Sequence, residues 1–430
     1  MLSALSTDLY ELTMAGGYFA AEISGRGTFD LFVRQLPPPR NYLIAAGLEQ
    51  ALDFLENVRF TAEEIQFLRT VPALATLPSA FFDEYLPRFR FTGDVWAMEE
   101  GTPFFALEPI MRVTAPLPEA QLVETALIAE TMFPTSVASR AARVVQAAAG
   151  RPVMEFGARR AHGIDAGIRA ARAAYIAGFS STSIVEAGKR FGIPLSGTMA
   201  HSWVMTFADE GKAFRTYANL FGEAVFILDT YDSIAAARMV ATSGLRPKAV
   251  RIDSGDLVAT SREVRRIFDA HGLTDTAIVA SGDLDEVRIA EMIAAGAPIN
   301  GFGVGTSVST SSDAPALSGV YKLAEVERDG VMIPVVKKSP GKRTYPGCKQ
   351  VWRVMRDGVY VEDVLTLEGD PPPPGAKPLL REVMRRGVRC WRPSLHHIRA
   401  RHREQIATLP TDVTLLFDGR KYPVRIRIDS

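Results

Sequence analysis

Cysteine is almost missing from this chain: its 430 residues contain two, Cys348 and Cys390. That excludes a disulfide framework and fits a reducing compartment. Histidine is also scarce, with six residues. None forms H-x-x-x-H or H-E-x-x-H, and Cys348, Cys390, His396, His397 and His402 match no zinc-finger spacing, so a metal held directly by protein side chains is not expected. No G-x-S-x-G elbow is present, which argues against a hydrolase triad. Neither sign of charge is in excess, since Lys+Arg and Asp+Glu number 49 each. No global field then draws the protein to DNA, RNA or an anionic membrane, and any anionic ligand must be held by local groups. No apolar run is long enough to span a bilayer. The first residues are acidic rather than basic, unlike a signal peptide. A cytoplasmic protein without nucleic-acid or membrane partners is expected.

What is present is ordinary for a globular chain of two to three domains, at 47% apolar and 23% charged residues. Residues 1–125 mix helix and strand. TFDLFVR (28–34) alternates as a strand does, PPPRN (37–41) breaks it, and 42–58 has helical spacing. FTGDVWAME and PIMRVTAPL predict strands. QLVETALIAETMF opens a helix expected to reach Ala149, with a break at Pro134. From about 150 to 310 short apolar runs recur, most followed by a helical segment. They are 152–157, 177–183, 193–198, 224–230, 248–254, 276–283 and 299–306. Unbroken apolar runs at this rhythm predict buried parallel strands, and seven of them suit a barrel better than an open sheet. A barrel places ligand chemistry at the carboxyl ends of its strands. There the sequence has Glu155-Phe156-Gly157, Thr182-Ser183, Gly197-Thr198, Asp229, Arg251, Asp253, Asp283 and Gly303 to Thr306, a set suited to phosphate and sugar. PPPP (371–374) reads as a rigid turn or linker. The Arg-rich stretch 381–403 reads as helical, a solvated face or an intersubunit contact.

Each chemical stretch has a plainer alternative. GFGVGTS (301–307) lets backbone N–H groups approach a phosphate, or is only a tight turn. VRIDSGD (250–256) puts Arg251 and Asp253 on one face of a strand. They could hold an anion and ribose hydroxyls, or form a buried ion pair with Ser254 or Asp256 capping the next helix. EFGARR (155–160) offers Phe156 as an aromatic surface with Arg159 and Arg160 as anion donors, or a core ring with surface arginines. Asp229, Asp232 and Asp283 could order Mg²⁺ waters around a diphosphate, or cap helices, as Ser281 and Asp283 are placed to do. His201, in GTMAHSWVMT (197–206), reads by spacing as a packed core residue.

Taken together, TDLYELTMAGGYF (7–19), EFGARRAHG (155–163), GFSSTSIVEAGKRFGIPLSGTMAHSWV (178–204), VRIDSGDL (250–257), GFGVGTSV (301–308) and KSPGKRTYPGCKQVWR (338–353) resemble the nicotinate phosphoribosyltransferase family. The resemblance implies an irregular seven-stranded α/β barrel. A second mixed α+β domain comes from the N-terminal region and parts of the C-terminal region. The expected divisions are 1–125 (N-terminal α+β), 126–345 (barrel) and 346–430 (packing on the other two). It implies a homodimer that joins nicotinate to 5-phosphoribosyl 1-diphosphate, giving nicotinate mononucleotide and diphosphate. ATP is the co-substrate, and Mg²⁺ is held through the diphosphate and water rather than by direct protein ligands. His201 matches the position phosphorylated by ATP. Tyr10, Phe156, Ser183, Thr198 and Arg251 match the nicotinate site, with Tyr10 reaching it from the partner subunit. Arg159, Asp229, Asp253, Asp283, Gly303, Gly305 and Thr306 match the phosphoribosyl diphosphate site. Lys338, Lys342 and Arg343 fall in a loop expected to close over phosphates. The related nicotinamide enzyme carries aspartate where this chain has Ser183, so nicotinate is the expected base. The alternatives are the nicotinamide enzyme, a sugar-phosphate barrel isomerase or aldolase, and a non-catalytic nucleotide-binding protein.

Overall fold

In a computed structural model of the chain, which describes residues 2–337 and 344–428, the recurring apolar runs become one parallel sheet. Its spatial order is Ser181–Thr182, Val153–Glu155, Gly301–Val304, Ala277–Ala280, Ala249–Ile252 and Val225–Ile227. Leu228, Val250, Ile278, Phe302 and Val304 are fully buried, as expected where helices cover a parallel sheet. The carboxyl ends of all six strands lie along one edge, because the connections are strand–helix–strand crossovers.

The seventh expected strand is not formed. Run 193–198 contributes one bridge, Leu195 beside Thr182, flanked by Thr182 N–H to Pro194 O and Ser196 N–H to Thr182 O, both 3.0 Å. Among the described residues no strand pairing joins it to Val225–Ile227, so the hydrogen-bonded sheet is open. Pro194 has no N–H to extend the ladder, and Gly197 follows.

The chain divides into two compact units, Val137–Pro315, which holds this sheet, and Met1–Ser136 with Ala316–Ser430. The second unit is built on an antiparallel sheet. Its order is Val331–Pro334, Gly319–Arg328, Arg26–Val33, Pro109–Pro116, Asp94–Met98, Leu380–Arg385 and Val388–Arg389. A four-stranded sheet of Ala376–Pro378, Lys349–Arg356, Val359–Leu367 and Val424–Ile426 completes it, with a short pair, Leu43–Ile44 and Pro103–Phe104. The strands predicted at 28–34, 91–99 and 109–117 are present as Arg26–Val33, Asp94–Met98 and Pro109–Pro116, and within 42–58 the helix is Leu48–Asn57.

Two local expectations fail. Pro134 does not break its helix, which runs from Glu124 to Ala147. Proline removes the N–H that would have met the carbonyl of Glu130, and that carbonyl packs against Gly47, where any side chain would collide with it. The Arg-rich stretch is not one helix. Leu380–Arg385 and Val388–Arg389 form a hairpin, and helix Leu395–Thr408 follows. Arg386 and Gly387 both have positive φ, 48° and 74°, which makes a two-residue primed turn. No helix among the described residues is long and apolar enough to cross a membrane.

Candidate active site

The strand tips of the parallel sheet surround a cavity of about 320 Å³, lined by Phe156, Arg159, Arg160, Ser183, Gly197, Thr198, Arg251, Asp253, Ser281, Gly282, Asp283, Gly303, Gly305 and Thr306. All but Gly197 and Thr198 come from the last residues of a strand or the segment that follows it, where backbone groups leave the ladder and side chains converge, and those two come from the loop after the Leu195 bridge. The sequence-predicted Phe156, Arg159, Ser183, Thr198, Arg251, Asp253, Asp283, Gly303, Gly305 and Thr306 are therefore brought together.

A polar chain runs across the floor. Arg251 Nη1 donates to Thr198 Oγ1 at 2.8 Å, and its Nη2 lies 3.3 Å from Asp253 Oδ1. Ser281 Oγ donates to the same carboxylate oxygen at 2.5 Å. Asp229 Oδ2 accepts from Asp253 N–H at 3.2 Å and from Ser254 Oγ at 2.5 Å. The ion-pair alternative for Arg251 and Asp253 is thus realised, yet both also face the cavity. Arg251 Nε and Asp229 Oδ1 are buried without hydrogen-bond partners. Arg251 lines the cavity, so its unmet donor leaves capacity for a ligand, whereas Asp229 is not among the lining residues.

Two glycines make room for the cavity walls. A Cβ on Gly303 would stand 2.5 Å from Phe156 Cε2, so only glycine lets that ring lie over the strand. Gly282 has φ of 92°, and a side chain there would strike the carbonyl of Asp253. Beneath Phe156, the buried carboxylate of Glu155 accepts from Gly157 N–H at 2.5 Å and Thr182 Oγ1 at 2.6 Å. Burial pushes its carboxyl above the usual range, and those two bonds oppose the rise. Ser183 N–H donates to Glu155 O at 3.0 Å. The Phe156 and Ser183 walls are therefore locked to one residue.

His201 opens helix His201–Thr206 and is half-buried, so the packed-core reading is corrected: a six-residue surface helix cannot enclose it. Its Nδ1 lies 3.1 Å from Thr230 Oγ1, next in sequence to Asp229. Tyr10 lies in the discontinuous unit, exposed on helix Leu9–Ala20. Partial desolvation of its hydroxyl and the neighbouring Glu124 carboxylate raise its pKa. Lys338, Lys342 and Arg343 lie outside the described residues. Asp232 and Asp256 are helix caps, accepting from Ile234 and Ala235 N–H and from Ala259 N–H. Ser281 and Asp283 are not, because Asp285 caps helix Glu286–Ala294.

Sequence reasoning missed the scaffold behind the tips. Arg140, 5% exposed, reaches Glu286 at 2.8 Å and Asp313 at 3.0 Å, and Arg143 reaches Glu286 at 3.1 Å. Glu286 follows the Asp283 loop and Asp313 follows the Thr306 turn. Two consecutive helical arginines three apart share one face, which is a legible signal, but their partners are too distant in sequence to be inferred.

A family model described as the nicotinate phosphoribosyltransferase N-terminal domain matches residues 5–131, and one described as the nicotinate phosphoribosyltransferase family matches 152–351. A nicotinate phosphoribosyltransferase of Mycobacterium tuberculosis is 44% identical over 437 residues, covering 99% of this chain and 92% of its own length. That of Bacillus subtilis is 42% identical over 365 residues, covering 82% and 73%. The crystal structure of human nicotinic acid phosphoribosyltransferase superposes with a TM-score of 0.84 at 28% identity, covering 98% of this chain and 97% of that one.

Proposed function

The chain belongs to the nicotinate phosphoribosyltransferase family, and we propose that its strand-tip cavity joins nicotinate to 5-phosphoribosyl 1-diphosphate as an entry step of NAD salvage. The observation that carries this reading is the convergence of an aromatic wall, a guanidinium, a ribose-type carboxylate and a glycine–threonine turn in one cavity. Nicotinate stacks on Phe156, with its carboxylate held by Ser183, Thr198 and Arg251. Asp253, fixed by Ser281 and Arg251, accepts from the ribose hydroxyls. Gly303, Gly305 and Thr306 cradle the 5-phosphate, and Arg159 meets the diphosphate. The pyridine nitrogen attacks the ribose C1 as the C1–oxygen bond breaks, and its electron pair leaves with diphosphate. That nitrogen carries no proton, so no general base is needed.

No group of three or more metal-type ligands occurs among the described residues. A Mg²⁺ would be bound by diphosphate oxygens and water, and it would neutralise the departing charge. We further propose that His201 takes the γ-phosphoryl group of ATP, releasing ADP, and returns it to water during turnover. Thr230 holds one ring nitrogen, and the added charge would lie beside Asp229. A cytoplasmic homodimer, with Tyr10 acting across the subunit interface, belongs to the same reading.

Product analysis with nicotinate, phosphoribosyl diphosphate and Mg²⁺, with and without ATP, is the test. Nicotinate mononucleotide should form, faster with ATP. γ-Labelled ATP should leave acid-labile, base-stable label on the protein that His201→Ala abolishes. No mononucleotide under any condition would refute the activity, whereas unlabelled but active protein would refute only the phosphohistidine.

A further inference from the structure

A second cavity, of about 280 Å³, opens in the discontinuous unit. The rings of Phe19, Tyr85 and Phe89 line it. Phe19 and Tyr85 lie 5.5 Å apart and tilted, and Tyr85 and Phe89 lie 6.1 Å apart, edge to face. The Tyr85 hydroxyl is buried and has no hydrogen-bond partner. Burial, reinforced by the charge of Glu119, raises its pKa, so it stays a donor. Glu119 does not meet it, because Thr92 occupies that carboxylate through N–H at 2.6 Å and Oγ1 at 3.0 Å. Tyr85 closes a five-residue π-helix, Phe81–Tyr85, a rare turn that concentrates at functional sites. Arg88 and Arg90, both exposed, also line the cavity, with Glu84 and Glu119; neither arginine forms an ion pair within 4 Å among the described residues, although the charge of Arg90 acts on the Glu119 carboxyl.

A buried hydroxyl with nothing to donate to is unfavourable, and phenylalanine would pack among the same rings without that cost. Flat apolar walls, a spare donor and two exposed guanidiniums together select for aromatic, acceptor-rich and anionic ligands. We propose that this cavity binds a flat heteroaromatic ring carrying an anionic group, with the ring against Phe19 and Phe89, an acceptor on the Tyr85 hydroxyl and the anion on Arg88 and Arg90. The inference does not depend on the function assigned to the strand-tip cavity. Both mononucleotides and pyridine carboxylates have this chemistry.

Amide hydrogen exchange across 81–92 of the full-length protein tests it, with AMP, nicotinate, adenosine and ribose 5-phosphate as separate probes. Slowed exchange with AMP identifies a nucleotide site, and slowing with nicotinate alone identifies a pyridine-carboxylate site. Adenosine and ribose 5-phosphate, each with half of the required chemistry, should protect less than AMP. Tyr85→Phe keeps the ring packing, and Arg88→Ala alters only an exposed side chain. Each should weaken the protecting ligand about tenfold, the loss of one hydrogen bond or charge contact. The proposal is overturned if neither AMP nor nicotinate slows exchange, if ribose 5-phosphate protects as well as AMP, or if both variants leave the protection unchanged.

Discussion

Ser183 stands exposed at the mouth of the strand-tip cavity, where a hydroxyl can donate to a carboxylate and an aspartate would repel it. Ser183→Asp should therefore lower kcat/KM for nicotinate at least about 100-fold, since a like-charge contact costs several kcal/mol. It should also shift preference toward nicotinamide. Steady-state kinetics with both bases decides this, and a wild-type protein that favours the amide would end the argument. Gly303→Ala acts on the opposite wall. The added Cβ would collide with the Phe156 ring, so KM for nicotinate should rise about 10- to 100-fold, with a smaller change for phosphoribosyl diphosphate.

At the scale of elements, the helix Glu124–Ala147 anchors parts of the site. Over 137–147 it supplies Arg140 and Arg143, which tie the segments that follow two ligand-bearing turns to one charge cluster. Removing one partner of a buried ion pair costs about 3–5 kcal/mol, because the remaining charge is uncompensated. Arg140→Met should lower stability by that order in denaturant melts. The Asp283 and Thr306 turns lose their common anchor, so KM for phosphoribosyl diphosphate should rise more than KM for nicotinate. Equal changes in both constants would mean that the cluster supports the fold alone. The open sheet edge belongs to this scale as well. Run 193–198 reads as a strand in its apolar pattern, but Pro194 and its single bridge to Thr182 leave it a loop, and that loop carries Thr198 into the cavity.

At the scale of the molecule, the discontinuous unit is held by pairings between distant parts of the chain. Arg26–Val33 pairs with Gly319–Arg328, and Asp94–Met98 with Leu380–Arg385. Asp30 and Lys349, both buried, meet at 2.7 Å. The same unit buries Glu11, whose carboxyl is pushed up to about 7 by burial while Thr125 and Thr7 oppose the shift. A raised carboxyl pKa means that the folded state holds its proton when the unfolded chain has released it. The resulting stabilisation is complete below about 4.5, declines as pH rises through about 7 and is gone above it. Melting temperature should fall over that window, and Glu11→Gln should flatten the fall. An unchanged pH profile in the variant would place the titration elsewhere, for example on Asp30 or Glu108, which burial also raises.

Residue types and their short-range spacing established the strand rhythm of 150–310, the chemistry at each strand tip and the family to which the motifs belong. Those features follow from side-chain period and turn chemistry, which act over a few residues. The Arg386-Gly387 hairpin was missed because arginine is an uncommon turn residue, and it masked the primed turn. Folding alone decided that Thr198 meets Arg251 across 53 residues of sequence, that Ser281 holds Asp253 instead of capping a helix, and that Thr230 meets the His201 ring. Such contacts depend on which strands become neighbours and how far each turn projects, and no local pattern carries that information.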